Sequence, residues 1–158
     1  MIQLALYKAP GDLYDRLIRI WTRSPYSHCE LVLADGRFAS SSPRDGGVRA
    51  KLIEPDPAVW DFLPLPWVRE EVVEELLQAE HGAVYDWVGI LGSQILPVGI
   101  QSESRWFCSE FCAQAIGLEQ PQRYSPGSLA EAVRWALGCT YNGEKTAINP
   151  VNGKPCQS

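Results

Sequence analysis

Residues 26–42 read YSHCELVLADGRFASSS, and this stretch predicts a β-hairpin. The segment His28–Leu33 is typical of a strand, and Arg37–Ser42 forms a returning strand of similar length. Between them lies Ala34–Gly36, whose Asp-Gly pair is a strong signal for a tight turn. We therefore expect two antiparallel strands joined by a short loop.

The length of that loop determines which side chains share a face of the hairpin. A three-residue loop places Ser40 opposite Glu30 and Ser42 opposite His28, with all four on one face. A two-residue turn would move both serines to the other face. In either case Cys29 points to the face opposite His28, because side chains alternate along a strand.

Apolar patterns on both sides of the hairpin predict further strands and helices. Strands are expected at residues 2–7, 48–53 and 60–65, and helices at about 12–22, 68–81, 85–95, 108–116 and 126–137. The order is a strand, a helix, an antiparallel sheet and then helices, which predicts an α+β fold with a small antiparallel sheet packed against helices. Residues 1–138 are expected to form a single domain. Residues 139–158, rich in Asn, Gly, Pro and Lys, are expected to be a loosely held C-terminal tail.

Two of the predicted helices begin with residues that suit an N-cap. Asp12 is placed to cap the first helix, and Ser125 the last one, before Pro126. Four large apolar side chains share one face of the first helix: Leu13, Leu17, Ile20 and Trp21.

The composition is that of a soluble globular protein and argues against several classes of function. Hydrophobic residues make up 46% of the chain and charged residues 21%, so we expect it to fold. The formal net charge is −5 and no run of Lys and Arg is present, which argues against nucleic acid as a partner. The apolar segment 84–100 is interrupted by Asp, Gly, Gln and Pro, so no transmembrane segment is expected. Met1 leads directly into a strand without a secretory signal, and the chain is therefore expected to be cytoplasmic.

The cysteines are expected to be free thiols and not a disulfide framework. There are five of them, an odd number, in a chain without an export signal. Cys29, Cys139 and Cys156 have no evident partner, and Cys108 and Cys112 share one helix without a second pair at ligand spacing. Since no Cys-x-x-Cys occurs and only two histidines are present, neither a metal site nor a cofactor is predicted.

Cys108 has the position of a catalytic nucleophile. It lies in the first turn of a predicted helix, where unpaired N–H groups and the helix dipole favour a thiolate. The same N–H groups can hold an oxyanion when a carbonyl is attacked. The alternative is a buried cysteine that packs as a small hydrophobe. Cys112, one turn later, lacks the helix terminus and is interpreted as a core residue.

A cysteine nucleophile needs a base, and the chain offers His28 and His81. His81 lies at a predicted helix end, where it would complete the cap or the dipole. His28 begins a strand at the rim of the sheet, which suits a catalytic group. A third polar group normally orients such a base, and from the residues alone Ser40, Glu30 and Ser42 are all candidates.

Taken in order, four segments resemble the permuted NlpC-type papain-like cysteine hydrolases. They are YSHCELVL with the following Asp-Gly turn at 26–36, YDW at 85–87, FCSEFCA at 107–113 and SPGSL at 125–129. In that branch of the superfamily the histidine precedes the cysteine, as it does here. The matches span roughly residues 7–137, which is most of the chain.

The resemblance implies a circularly permuted papain-like (NlpC-type) fold, in which the N-terminus of the cysteine helix faces the histidine strand. It makes Cys108 the nucleophile and His28 the base. The family's third residue, often Glu or another polar type, lies on the strand after the hairpin, and here that position falls on Ser40. Because Ser is neutral, it would stabilise an imidazolium less than a carboxylate does.

The implied function is hydrolysis of an amide bond in a peptide-like substrate, for some relatives one derived from peptidoglycan, through a Cys-His acyl-enzyme. A first alternative is a lipid acyl hydrolase or acyltransferase, similar to the lecithin:retinol acyltransferase relatives of the superfamily. Its apolar channel would be lined by residues such as Trp87, Ile90, Leu91 and Ile95. A second alternative is a non-catalytic binding module with an unreactive Cys108. The expected partner is thus a peptide-like or acyl substrate, and many relatives of this kind are bacterial or phage proteins.

Overall fold

The computed structural model describes residues 1–80, 84–85 and 105–141, and over these residues the chain is α+β. The strands are β1 (Gln3–Tyr7), β2 (His28–Val32), β3 (Arg37–Ser42), β4 (Gly47–Leu52), β5 (Trp60–Pro64), β6 (Val84–Tyr85) and β7 (Arg105–Trp106). The helices are α1 (Leu13–Thr22), α2 (Glu70–Glu80), α3 (Cys108–Ile116) and α4 (Pro126–Tyr141). None of the helices described is long and apolar enough to cross a membrane.

The strands form one sheet in the order β5-β1-β2-β3-β4-β6-β7. The five long strands pair antiparallel throughout, as the sequence predicts. At the edge, β6 adds a single antiparallel pair, Gly47 with Val84, and β7 then runs parallel to β6. The short parallel pair is a departure from a purely antiparallel sheet.

The β2–β3 hairpin has the register of a three-residue loop. Leu31 pairs with Ala39 and Val32 pairs with Phe38, and the Gly36 N–H donates to the Leu33 carbonyl at 3.1 Å. Gly36 has φ of 88°, a conformation that costs a side-chain-bearing residue free energy. Of the two loop lengths that the sequence left open, the structure therefore has the three-residue loop, which puts the even-numbered residues of β2 and β3 on one face.

The two faces of the sheet are chemically different because side chains alternate along each strand. One face is apolar and is covered by α2, α3 and α4. Its largest buried side chains include Leu4, Leu6 and Leu31 from the sheet and Phe111, Leu129 and Val133 from the helices. The opposite face carries Glu30 and Arg49 together with Phe38, whose ring meets Trp60 edge-on at 5.7 Å.

Helix α1 differs from the other three helices. Asp12 caps it as predicted, since its carboxylate accepts the Asp15 N–H at 3.0 Å. Its inward side is polar: Asp15 is buried and pairs with Arg44 at 3.1 Å. The four apolar side chains that share a face of α1 point away from the sheet and are exposed.

Several segments differ from the sequence-based expectation. Tyr85, predicted to begin a helix, lies in β6, where edge pairing with β7 replaces helical hydrogen bonds. The rest of that predicted helix, the YDW residues 86–87 and the apolar channel residues fall outside the residues described, as do His81 and Cys156. Helix α4 continues to Tyr141, past the expected domain boundary at 138.

Candidate active site

Helix α3 presents Cys108 as its first residue. Phe107 before it is extended, with φ of −88° and ψ of 154°, and its carbonyl accepts the first helical hydrogen bond from the Phe111 N–H at 2.9 Å. The N–H groups of the first turn have no partner within a helix, and they carry its partial positive charge. Cys108 itself is only 5% exposed. The thiol therefore lies at a helix N-terminus, as the sequence predicts, and it is buried there.

His28 meets Cys108 across the end of strand β2. The two side chains interact through a hydrogen bond and through opposite charges. Burial alone would lower the pKa of His28, but the thiolate of Cys108 and the carboxylate of Glu30 outweigh it and raise that pKa to about 10. The favoured state of the pair is consequently a thiolate beside an imidazolium.

Glu30 is the third member of this group. Its Oε1 lies 3.0 Å from Nε2 of His28, and its side chain is 3% exposed. Burial would raise the pKa of Glu30, but hydrogen bonds from His28 and Arg49 lower it to about 2. A charged carboxylate at this place holds the imidazole ring and stabilises its positive charge. Since Nε2 is engaged by Glu30, Nδ1 is the ring nitrogen left for the thiol.

Behind Glu30 lies an ion-pair chain that the sequence analysis did not predict. Arg49 of β4 donates to Oε2 of Glu30 at 2.6 Å and to Oε1 at 3.0 Å, while its Nε donates to Asp45 at 2.7 Å. Lys51 donates to both oxygens of Asp45, at 2.6 and 2.7 Å. The period-2 pattern of β4 puts Arg49 and Lys51 on one face, but only the β3–β4 register brings Arg49 to Glu30.

Cys29 also interacts with Cys108, from the apolar face of the sheet. Its thiol donates a hydrogen bond to Cys108, and this contact, followed by the charge of His28, brings the pKa of Cys108 well below its ordinary value despite burial. Burial and the same hydrogen bond raise the pKa of Cys29. The prediction that Cys29 and His28 point to opposite faces is confirmed. The sequence showed no partner for Cys29, whereas in the structure Cys29 interacts with Cys108. Alternation along β2 gave the orientation, and no sequence signal gave the contact.

The two serine candidates have other partners. Ser40 is fully buried and donates to the carbonyl of Cys29 at 2.8 Å, with the carbonyl of Ser41 at 3.3 Å. Ser42 is hydrogen-bonded to Asp45. Of the three candidates for orienting the base, Glu30 is therefore the one placed against the imidazole. The Ser40 position supports the strand on which His28 stands.

A cavity of about 180 Å³ opens on the polar face of the sheet and reaches His28 and Glu30. Arg44, Arg49 and Lys51 line it together with acidic and aromatic side chains. Cys108 lies on the other side of the sheet with α3, so the cavity contacts the base and its carboxylate and not the thiol.

Three groups thus come together from separate parts of the chain: a thiol at a helix N-terminus, an imidazole and a buried carboxylate. Such a set can form a nucleophile, move a proton between it and a leaving group, and hold the base in one orientation. Compared with models of known protein families and with curated proteins, the chain shows no match.

Proposed function

We propose that this protein is a cysteine hydrolase that cleaves an amide bond in a peptide-like substrate, with Cys108 as nucleophile and His28 as base. The observation that carries the proposal is the continuous contact from Cys108 through His28 to Glu30. Glu30 takes the orienting role for which Ser40 was also a candidate. The chain order, with the histidine strand before the cysteine helix, supports a circularly permuted papain-like fold.

The proposed reaction begins with the thiolate of Cys108 attacking the substrate carbonyl. The oxyanion that forms is held by N–H groups of the first turn of α3. The imidazolium of His28 gives its proton to the departing amine, the C–N bond breaks, and a thioester remains on Cys108. Neutral His28 then takes a proton from water, whose oxygen attacks the thioester, and the acid product leaves as the thiolate and imidazolium are restored.

The cavity beside the base supports a polar substrate. Its walls carry cationic side chains, including Arg44 and Lys51, alongside carboxylates such as Asp15. Peptide-like compounds offer carboxylate and amide groups that can hydrogen-bond to such walls, whereas an acyl chain would displace water from these polar groups without replacing its hydrogen bonds. We therefore place the peptide-like substrate ahead of the lipid ester.

The test is the rate of alkylation by iodoacetamide as a function of pH, with the labelled cysteine mapped by mass spectrometry. A small reagent is needed because Cys108 is 5% exposed. We expect Cys108 to react with an apparent pKa well below the value of about 8.5 for a free thiol. His28→Ala removes the imidazolium, and the apparent pKa should then rise.

The matched control is Cys112→Ala, one turn further along α3, which should leave the profile of Cys108 unchanged. A folded protein whose Cys108 titrates as an ordinary thiol, with or without His28, would contradict the proposal. That result would favour the non-catalytic binding module. Where the thiol is activated, peptide amides and acyl esters are compared as substrates.

A further inference from the structure

Helix α1 carries its apolar side chains on the outside of the protein. Leu13 is 71% exposed, Leu17 56%, Ile20 69% and Trp21 57%. At 100° per residue these four positions fall within one continuous strip along the helix. With 10 residues, α1 presents this strip over a length of about 15 Å. A strip of this kind is a surface for a partner and not for the core of the domain.

Polar contacts hold α1 in this orientation. Its buried Asp15 accepts from Arg44 at 3.1 Å and from the Asp12 N–H at 3.1 Å. Arg19 donates to the carbonyls of Ala9 and Pro10. Turning the apolar strip toward the sheet would break these contacts, so they stabilise the orientation in which the strip faces outward.

The charges beside the strip indicate what kind of surface it meets. Arg16 is exposed and lies with Arg19 on one flank of the strip by the helical period, and Arg23 is exposed directly after the last residue of α1. The whole chain has a net charge of −5, yet residues 13–23 hold three arginines and one aspartate. An apolar strip of Leu, Ile and Trp with arginines along its edge is the pattern of a helix that lies in the plane of a lipid interface.

We propose that α1 docks this protein onto an anionic lipid surface. The four apolar side chains enter the boundary between headgroups and acyl chains, and Arg16 and Arg23 contact the phosphates. Trp21 suits the same depth, because an indole has an apolar body and a polar N–H. The inference is independent of the proposed hydrolase chemistry. With α1 docked in this way, the cavity that Asp15 and Ile18 help to line lies next to the lipid surface.

The experiment is co-sedimentation of the full chain with vesicles of phosphatidylcholine alone or of an equal mixture with phosphatidylglycerol. We expect binding to the mixed vesicles that weakens with salt and is lost without the anionic lipid. The double variant Ile20→Ser/Trp21→Ser should weaken binding about tenfold or more. The double variant Arg16→Glu/Arg23→Glu should also weaken it by about tenfold or more, through charge.

Two control variants are matched to these changes. Leu52→Ser removes an apolar side chain that is 75% exposed on β4, and it should bind as the wild type does. Arg69→Glu/Arg123→Glu makes the same change in net charge at exposed positions outside α1, and its binding should fall much less.

Three results would overturn the proposal. The first is no binding of the wild type to the mixed vesicles. The second is a dimer in lipid-free solution that Ile20→Ser/Trp21→Ser converts to monomer, because the strip would then be a contact between copies. The third is a loss of thermal stability in that variant but not in Leu52→Ser, because the strip would then be covered by another part of the same chain.

Discussion

At the scale of single residues, the charge on Glu30 adds to that of Cys108 in holding His28 protonated. Its carboxylate contacts His28 at 3.0 Å and is itself held by Arg49 at 2.6 Å. His28 and Arg49 together keep Glu30 ionised, and the charges of Cys108 and Glu30 together keep His28 protonated. A serine in the same place could hold the ring but could not supply the charge.

We predict that Glu30→Gln lowers the pKa of His28 and decreases kcat/KM by about tenfold or more. The substitution also leaves Arg49 with Asp45 as its remaining carboxylate partner, and the loss of one charge-assisted pair costs about 2 kcal/mol of stability. The measurements are the pH profile of Cys108 alkylation and thermal unfolding. The matched variant Ser40→Ala loses only a hydrogen bond to a carbonyl, about 1 kcal/mol, and should keep the wild-type pH profile. If Ser40→Ala shifts the profile while Glu30→Gln does not, Glu30 is not the orienting group.

Cys29 is predicted to tune the nucleophile without reacting itself. Cys29→Ala removes the thiol that donates to Cys108, so alkylation of Cys108 should move to higher pH. Cys29→Ser restores a donor and should bring the profile back toward that of the wild type. Identical profiles for all three proteins would show that the contact does not act on the thiolate.

At the scale of elements, the β2–β3 turn holds the strand of the base in register. Gly36 adopts φ of 88°, and the nearest atom that an added Cβ would meet is 3.8 Å away, so the backbone and not crowding limits substitution. We predict that Gly36→Val costs about 1–2 kcal/mol and lowers Tm by about 2–8 °C. Gly36→Asn is the matched control, because Asn tolerates this conformation, and it should retain most of the stability. Equal Tm values for the two variants in thermal unfolding would contradict this account.

At the scale of the whole molecule, the buried charges predict how stability depends on pH. Glu30 has its pKa lowered from 4.5 to about 2, so its contribution is complete above 4.5 and is lost as pH falls toward 2. His28 has its pKa raised from 6.5 to about 10, so its contribution is complete below 6.5 and is lost as pH rises toward 10. The pKa of Cys108 is lowered from its ordinary value of 9.0, so its thiolate contributes stability that grows as pH rises toward 9.0 and offsets the loss from His28 above pH 6.5. Stability should therefore be greatest and nearly constant between about pH 6.5 and 9, and it should fall below and above this range.

Thermal unfolding across pH measures both limbs of this curve. In Glu30→Gln the acid limb should become flatter, and in His28→Ala the alkaline limb should become flatter. A wild-type Tm that falls neither below about pH 6.5 nor above about pH 9 would show that these buried charges make no contribution to folding.

The local pattern of the chain was enough to predict the parts of the site. A period of two along β2 placed His28 and Glu30 on one face, and the Asp-Gly pair predicted the hairpin, whereas the register that decides the face of Ser40 came from the structure. The start of α3 at Cys108 also followed from the sequence. These features depend on interactions between residues that are close together in the chain, so a short stretch of sequence is enough to predict them.

Tertiary structure alone decided how the parts meet. The contact of Cys108 with His28 and Cys29 depends on how α3 packs on the sheet, and the pairing of Arg49 with Glu30 depends on the register of β4. The apolar strip of α1 likewise faces outward because polar contacts such as Asp15 with Arg44 hold the other side against the sheet. Helical and strand periods give the composition of each face, but only the long-range balance of burial and ion pairing determines which face is buried.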